Sequence, residues 1–314
     1  MAQTIQAFAD AIVENVSKVI IGKEGVVRLT LAALLAEGHV LFEDAPGIGK
    51  TTLAKAFARS LGCSFSRIQF TPDLLPSDVT GIYWYNQKTQ AFEYRPGPIM
   101  GQVVLADEIN RATPRTQSAL LEAMQERQIT VDRDTYALPR PFLVLATQNP
   151  IELEGTFPLP EAQIDRFLLK TSLGYPSEAE ENELLLRYAR QDPMETLSPV
   201  TTPEEVVFMQ GAVRDIRVED QVRAYLVKIV HATREHPAVD LGVSPRGALA
   251  LYRAAQAWAG IHGRAFVLPD DIKLLTPYVL MHRIHMSPHT RLRGRTQEEV
   301  LAEIVASIPA PVFQ

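Results

Sequence analysis

Residues 39–57, HVLFEDAPGIGKTTLAKAF, place a glycine-containing turn between an apolar run and a helical pattern. Around Pro46, Gly47, Ile48 and Gly49 the backbone can bend so that N–H groups converge on phosphate oxygens, and the helix start that follows adds partial positive charge. Lys50 is spaced to reach the β- and γ-phosphates of ATP, and the Thr51 hydroxyl to ligate Mg2+, with Thr52 beside it in the cradle. One position departs from the usual phosphate-loop pattern: Asp44 stands where the first glycine is expected. A second chemical signal is VVLADEIN, residues 103–110. Apolar residues fill a strand, and Asp107 and Glu108 follow at its carboxyl end, where α/β sheets bind ligands. Asp107 suits Mg2+ held through water, and Glu108 suits polarisation of the water that attacks the γ-phosphorus.

Elements of α/β type must carry these groups. Compact apolar runs at His39–Phe42, Gly101–Ala106 and Phe142–Thr147 suit strands buried on both faces of a parallel sheet, with Ser66–Phe70 as a further strand. Apolar spacing predicts helices over 5–20, 24–37 and 50–61, so the first part of the chain reads as a doubly wound α/β domain. Two hairpins decorate it. One spans 82–94, with polar residues between two aromatic arms, and the other spans 129–139, turning at Asp132-Arg133-Asp134. Thr113-Pro114 opens a helix between them. After Tyr175-Pro176 the strand signals stop. Ser177 with Glu180, Thr202 with Glu205 and Thr296 with Glu299 have capping-box spacing, and Ser244-Pro245 and Pro269 open further helices. The expected organisation is an α/β nucleotide-binding core over 1–175 and a small all-helical domain over 176–314.

Composition sets outer limits. Hydrophobic residues make up 46% and charged residues 22%, which fits globular domains and excludes a disordered or fibrous chain. Lysine and arginine number 31 against 37 aspartates and glutamates, a net charge of −6 with no basic tract, so no nucleic-acid partner is expected. A single cysteine, Cys63, excludes an internal disulfide and reads as a small core residue. The first twenty residues lack the pattern of a leader, and the most apolar stretch, 29–42, is interrupted by Glu37 and His39. A cytoplasmic protein without a membrane span is the expectation. His282, His285 and His289 have helical spacing, but Pro288 breaks that helix and no carboxylate lies between them, so no metal site is expected there.

Longer segments carry a resemblance. QFTPDLLPSDVTG (69–81), the run 95–131 from RPGPIMG to QERQITV, ATQNP (146–150), GTFPLPEAQIDRF (155–167), GVSPRGALAL (242–251) and VLMHRI (279–284) resemble the MoxR family of AAA+ ATPases over nearly the whole length. The resemblance implies an AAA+ core with a helical lid, assembled as a homo-oligomeric ring, typically a hexamer. It matches Asn149 to the first sensor, Arg166 to an arginine finger reaching a neighbouring subunit (with Arg111 as its rival), and Arg246 to the second sensor, contacting nucleotide in cis. Ile20, Ile21 and Gly22 match the segment that flanks the adenine. The hairpins match insertions of the helix-2-insert group, and their tips (Tyr83, Trp84, Tyr85, Arg133 and Asp134) are candidates for client contact. A chaperone role follows, with a von Willebrand A domain protein as partner and a client protein to be remodelled. The reading set against it is a nucleotide-gated assembly scaffold with negligible turnover, which Asp44 favours and the intact Asp107-Glu108 pair opposes.

Overall fold

The structure is a computed structural model and describes residues 1–149 and 155–311. The chain enters through helices α1 (Ala2–Ser17) and α2 (Glu24–Leu35) and strand β1 (Val40–Glu43). Helix α3 (Lys50–Ser60), β2 (Phe65–Gln69) and the short helix α4 (Pro76–Thr80) lead into a hairpin of β3 (Gly81–Asn86) and β4 (Ala91–Pro96). Strand β5 (Val103–Asp107) and α5 (Pro114–Glu126) precede a second hairpin of β6 (Gln128–Val131) and β7 (Asp134–Ala137). Next come β8 (Leu143–Gln148), the single turn α6 (Glu161–Ile164) and β9 (Leu169–Thr171).

Strands β2, β5, β8, β1 and β9 lie in that order in one parallel sheet. Their alternate residues enter two different apolar clusters. Val103, Leu105, Leu143 and Leu145 face α1, α2 and α3, whereas Val104, Ala106, Val144 and Ala146 face α5 and the hairpins. A sheet covered on both sides explains why these strands read as continuous apolar runs. The register sets Gln69 beside Asp107 and Glu43 beside Gln148, so the polar ends of neighbouring strands share one rim. Helix α3 begins at Gly49, whose φ of +98° suits glycine, and anchors through fully buried Leu53 and Phe57. Burial of side chains of that size stabilises by about 1.5–3 kcal/mol each.

The two hairpins form at the expected places. Tyr83 pairs across the first with Tyr94, and its hydroxyl bonds the Asp134 carboxylate and the Tyr136 hydroxyl of the second. Those bonds hold the Tyr83 phenol protonated well above its ordinary range. Tyr94 stacks on Tyr136 with centroids 4.2 Å apart. Trp84 and Phe92 remain exposed.

The remaining chain is α7 (Glu178–Tyr188), α8 (Pro193–Thr196), α9 (Pro203–Val213), α10 (Asp220–Glu235), α11 (Pro245–Ile261), α12 (Pro269–Leu280), α13 (Pro288–Leu292) and α14 (Gln297–Ser307). Side chains of Ser177, Thr202 and Thr296 cap α7, α9 and α14 as their spacing predicts. This part is not wholly helical. Val239–Leu241 (β10) pairs antiparallel with His285–Met286 (β11), strands too short to leave a period in the sequence. One apolar cluster runs from α1–α3 through α9–α12, so the helical part shares a core with the N-terminal helices.

Among the described residues no helix is long and apolar enough to cross a membrane. His282, His285 and His289 lie on three different elements, and no group of three metal-binding side chains occurs among the described residues. Cys63 is buried, which pushes its thiol pKa up to about 12 and leaves it unreactive.

Candidate nucleotide site

A cavity of about 470 Å³ opens where the rim of polar strand ends meets the loop before α3. Pro46, Gly47, Gly49, Lys50, Thr51 and Thr52 line one side, with Asp107, Glu108, Thr147, Gln148 and Asn149 opposite. Gly47 has φ +81° and Gly49 φ +98°, the left-handed values that turn backbone N–H groups inward. Ile48 instead packs against the main apolar cluster. Lys50 Nζ donates to the Asp44 and Ala45 carbonyls at 3.1 and 2.9 Å. Burial lowers its pKa, against the pull of Asp44, Asp107 and Glu108.

Asp44 explains its own departure from the motif. Its carboxylate accepts the backbone N–H of Leu173 at 2.7 Å and of Gly174 at 3.2 Å. The side chain thus ties the phosphate loop to the segment between β9 and α7.

The acidic pair sits in a hydrogen-bonded frame. Thr147, at 1% exposure, donates its hydroxyl to Asp107 Oδ1 at 2.7 Å and accepts the Glu108 N–H at 2.8 Å. Glu108 has φ +57°, a left-handed backbone unusual for this residue type, and this N–H bond helps hold it there. Arg67 donates to Asp107 Oδ2 at 2.6 Å and to Gln69 Oε1 at 2.6 Å. Gln69 Nε2 donates to Glu108 Oε2 at 2.9 Å, and Arg111 Nε lies 3.3 Å from the same oxygen. Arg67, Gln69 and Thr147 were not singled out in the sequence. The only trace of the first two is the alternation Arg67-Ile68-Gln69, which puts two polar groups on one face of β2.

Other candidates lie elsewhere. Ile21 and Gly22 are absent from the cavity wall, and Gly22, with φ +70°, lies so close under Glu180 that a Cβ there would overlap it. Arg166 and Arg246 line a second cavity of about 280 Å³ together with Asp165, Arg127, Arg253 and Arg283. Among the described residues, that cavity shares no lining residue with the first. Arg166 Nε is buried and bonds nothing among the described residues. Arg246 Nη1 stands 3.7 Å from Asp165 Oδ2. The arrangement of the first cavity suits a triphosphate. Lys50 and inward N–H groups face anionic oxygens, Thr51 and Asp107 form a hard oxygen pair of the kind Mg2+ takes, and Glu108 is a carboxylate within the same space.

Comparison with known proteins agrees with this geometry. Residues 39–169 match the ATPase family associated with various cellular activities (AAA), and residues 231–304 match the AAA lid domain. The chain is 39% identical to Chaperone MoxR1 of Mycobacterium tuberculosis over 99% of this chain and 84% of that protein. It is 32% identical to Protein MoxR of Methylorubrum extorquens (95% and 93%), and 55% identical to the uncharacterized protein YeaC of Bacillus subtilis (96% and 94%). A crystal structure from Cytophaga hutchinsonii superposes with a TM-score of 0.93 at 35% identity, covering 99% of this chain and 97% of the other. A phosphate loop, an acidic strand end and a helical lid, matched to these relatives along almost the full length, make this chain an ATP-hydrolysing member of the MoxR family of AAA+ ATPases.

Proposed function

We propose that the protein is a Mg2+-dependent ATPase whose active sites form between copies in a homo-oligomeric ring, a hexamer, and that it uses turnover to remodel partner proteins. The supporting observation is the division of labour on one subunit. Lys50, Thr51, Asp107, Glu108 and Asn149 share one cavity, while Arg166 and Arg246 line another. The arginines near the first cavity are engaged, Arg67 by Asp107 and Arg111 by Glu108. A transition state building charge on the γ-phosphoryl oxygens therefore draws its free guanidinium from a neighbouring copy.

In this scheme Lys50 binds the β- and γ-phosphates and Thr52 adds a contact at the helix start. Thr51 and Asp107 would hold Mg2+, which when bound would neutralise charge at the phosphates. Glu108 orients the attacking water and takes its proton as oxygen bonds to the γ-phosphorus and the bond to the ADP oxygen breaks. Asn149 aligns that water with its amide. Arg166 of the neighbouring copy stabilises the departing charge, an effect worth about 10³–10⁵ in rate. Arg246, expected from its motif to act in cis, sits with Arg166, so its role is assigned across the interface as well. Ile21 and Gly22 keep the adenine edge through backbone contact beside α7.

The boundary at 175–176 has a function here: Asp44, in the phosphate loop, grips Leu173 and Gly174 in the segment that leads into the helical part. Because that contact accounts for the missing glycine, the scaffold reading loses its main support. A von Willebrand A domain protein is the proposed partner in the cytoplasm, with the exposed aromatic hairpin tips as the face for the client. The relative named Chaperone MoxR1 supports a chaperone role.

The test mixes two inactive variants. Arg166→Ala subunits keep an intact Glu108, and Glu108→Gln subunits keep an intact Arg166. Recovery of turnover on mixing supports the shared site; absence of recovery at every ratio refutes it.

A further inference from the structure

Beneath the arginine-lined cavity lies a buried ion cluster that neither motif nor resemblance assigns. Arg283 follows α12 in a short 3-10 turn, and its side chain is 2% exposed. Its Nε donates to Asp165 Oδ1 at 2.7 Å. Its Nη2 donates to the carbonyls of Asp165 at 3.0 Å and Phe167 at 2.5 Å. Its Nη1 donates to the Leu168 carbonyl at 3.1 Å and to that of Val279. Nη1 also lies 2.8 Å from His282 Nε2, so six acceptors surround a guanidinium that carries five N–H groups. Arg283 therefore has no donor left for a phosphate, unlike Arg166, whose Nε is unbonded among the described residues. Three of the acceptors are the carbonyls of residues 165, 167 and 168, which bracket Arg166 on both sides.

The other oxygen of the same carboxylate faces the helical part. Asp165 Oδ2 accepts the Ser244 hydroxyl at 3.2 Å, and Ser244 also caps α11 by accepting the Gly247 N–H at 3.2 Å. Arg246 lies in the first turn of that helix, with Nη1 3.7 Å from Asp165 Oδ2. One carboxylate thus fixes the backbone that carries Arg166 and the helix start that carries Arg246.

We infer that Asp165 and Arg283 are positioning residues that hold Arg166 and Arg246 as one rigid pair presented to the nucleotide of a neighbouring copy. The inference rests on the shared-site reading above. Arg246 is only loosely paired with Asp165, at a separation beyond hydrogen-bond length, so it is held near the cavity without being consumed. The pair then meets a neighbour's phosphates with little left to organise, and misplacement by about 1 Å in such a pair costs on the order of 100-fold in rate.

The test is Asp165→Asn, which keeps size and one acceptor but loses the charge that Arg283 needs. The expected result is a fall in kcat of roughly 10–100-fold with KM for ATP within about threefold, because the phosphate-loop cavity is untouched. On an Arg166→Ala background the same change should cost less than it does alone, since only the Arg246 share of the pair is then left to misplace. Mixed with Glu108→Gln subunits, Asp165→Asn subunits should regain turnover as Arg166→Ala subunits do. Recovery for Arg166→Ala without recovery for Asp165→Asn overturns the positioning role and leaves the shared site standing. No recovery for either overturns the shared site itself. A rise in KM at unchanged kcat, or full additivity with Arg166→Ala, also overturns the positioning role. If Asp165→Asn does not fold, Arg283→Lys keeps the buried charge with three donors instead of five and is read by the same outcomes.

Discussion

Thr147→Val changes the frame around the acidic pair without changing its shape. Valine matches threonine in volume but removes the hydroxyl that donates to Asp107 Oδ1 at 2.7 Å and accepts the Glu108 N–H at 2.8 Å. The Glu108 N–H then has no acceptor in a half-buried site, a loss of about 1–3 kcal/mol. Glu108 itself sits at φ +57°, a conformation that costs about 1–3 kcal/mol and persists only where its surroundings impose it. Released, that residue relaxes, and its carboxylate leaves the place where the attacking water must stand. A shift of about 1 Å there costs on the order of 100-fold in turnover. Nucleotide affinity should change by less than about threefold, because the loop from Pro46 to Thr51 does not touch Thr147 through any hydrogen bond that is lost. The assay pairs phosphate release per subunit with equilibrium binding of a fluorescent nucleotide and urea denaturation. Thr147→Ser, which keeps the hydroxyl, serves as the control and should stay near wild type in all three. A Thr147→Val protein with a lowered urea midpoint but wild-type turnover refutes the argument: the hydroxyl would then brace the fold and not the carboxylate.

Two further outcomes follow from contacts of the same kind. Asp44→Gly restores the usual motif residue yet should destabilise the protein by roughly 2–5 kcal/mol, since two N–H groups lose a charged acceptor; an unchanged urea midpoint would refute the tie to Leu173 and Gly174. His39 is buried, takes the Val144 N–H on Nδ1 at 3.0 Å and places Nε2 3.1 Å from the Met124 carbonyl, a neutral imidazole. Burial, then Arg127, lowers its pKa from 6.5 to about 3. The unfolded chain binds a proton in that window and the folded one does not, so stability falls as pH drops from about 6.5 toward 3. His282 is buried with a pKa shifted the same way, so in His39→Gln the slope of stability against pH should shrink without vanishing. An identical slope in the two proteins would refute the assignment.

The placement of the candidate site residues was legible where it depends on a residue's own segment. Lys50 and Thr51 follow a turn that only glycines can make, and Asp107 and Glu108 follow an apolar strand, so local sequence places them. Capping boxes at Ser177, Thr202 and Thr296 were readable for the same reason. What the sequence concealed depends on register and tertiary approach. Gln69 meets Glu108 only because β2 lies beside β5 with Gln69 opposite Asp107. Asp44 looks like a defect until Leu173 arrives from 129 positions away. That Arg246 shares a cavity with Arg166 depends on the packing of α11 beside the 165–168 segment, which its motif does not show. Strands β10 and β11 have three and two residues, too few for any alternation to show.

The aromatic seam between the hairpins changes how the molecule counts its moving parts. Tyr83 bonds across to Asp134 and Tyr136, and Tyr94 stacks on Tyr136, so neither projection can swing without dragging the other. The second hairpin grows directly out of α5, thirteen residues long and so about 20 Å in length, whose first residue lies just past Glu108 and Arg111. In mechanical terms the two hairpins form a single handle at the end of α5, which starts at Thr113-Pro114, and the handle carries Trp84 and Phe92 exposed. On the proposed function, a rotation of a few degrees at the hydrolysing end would reach both hairpin tips together.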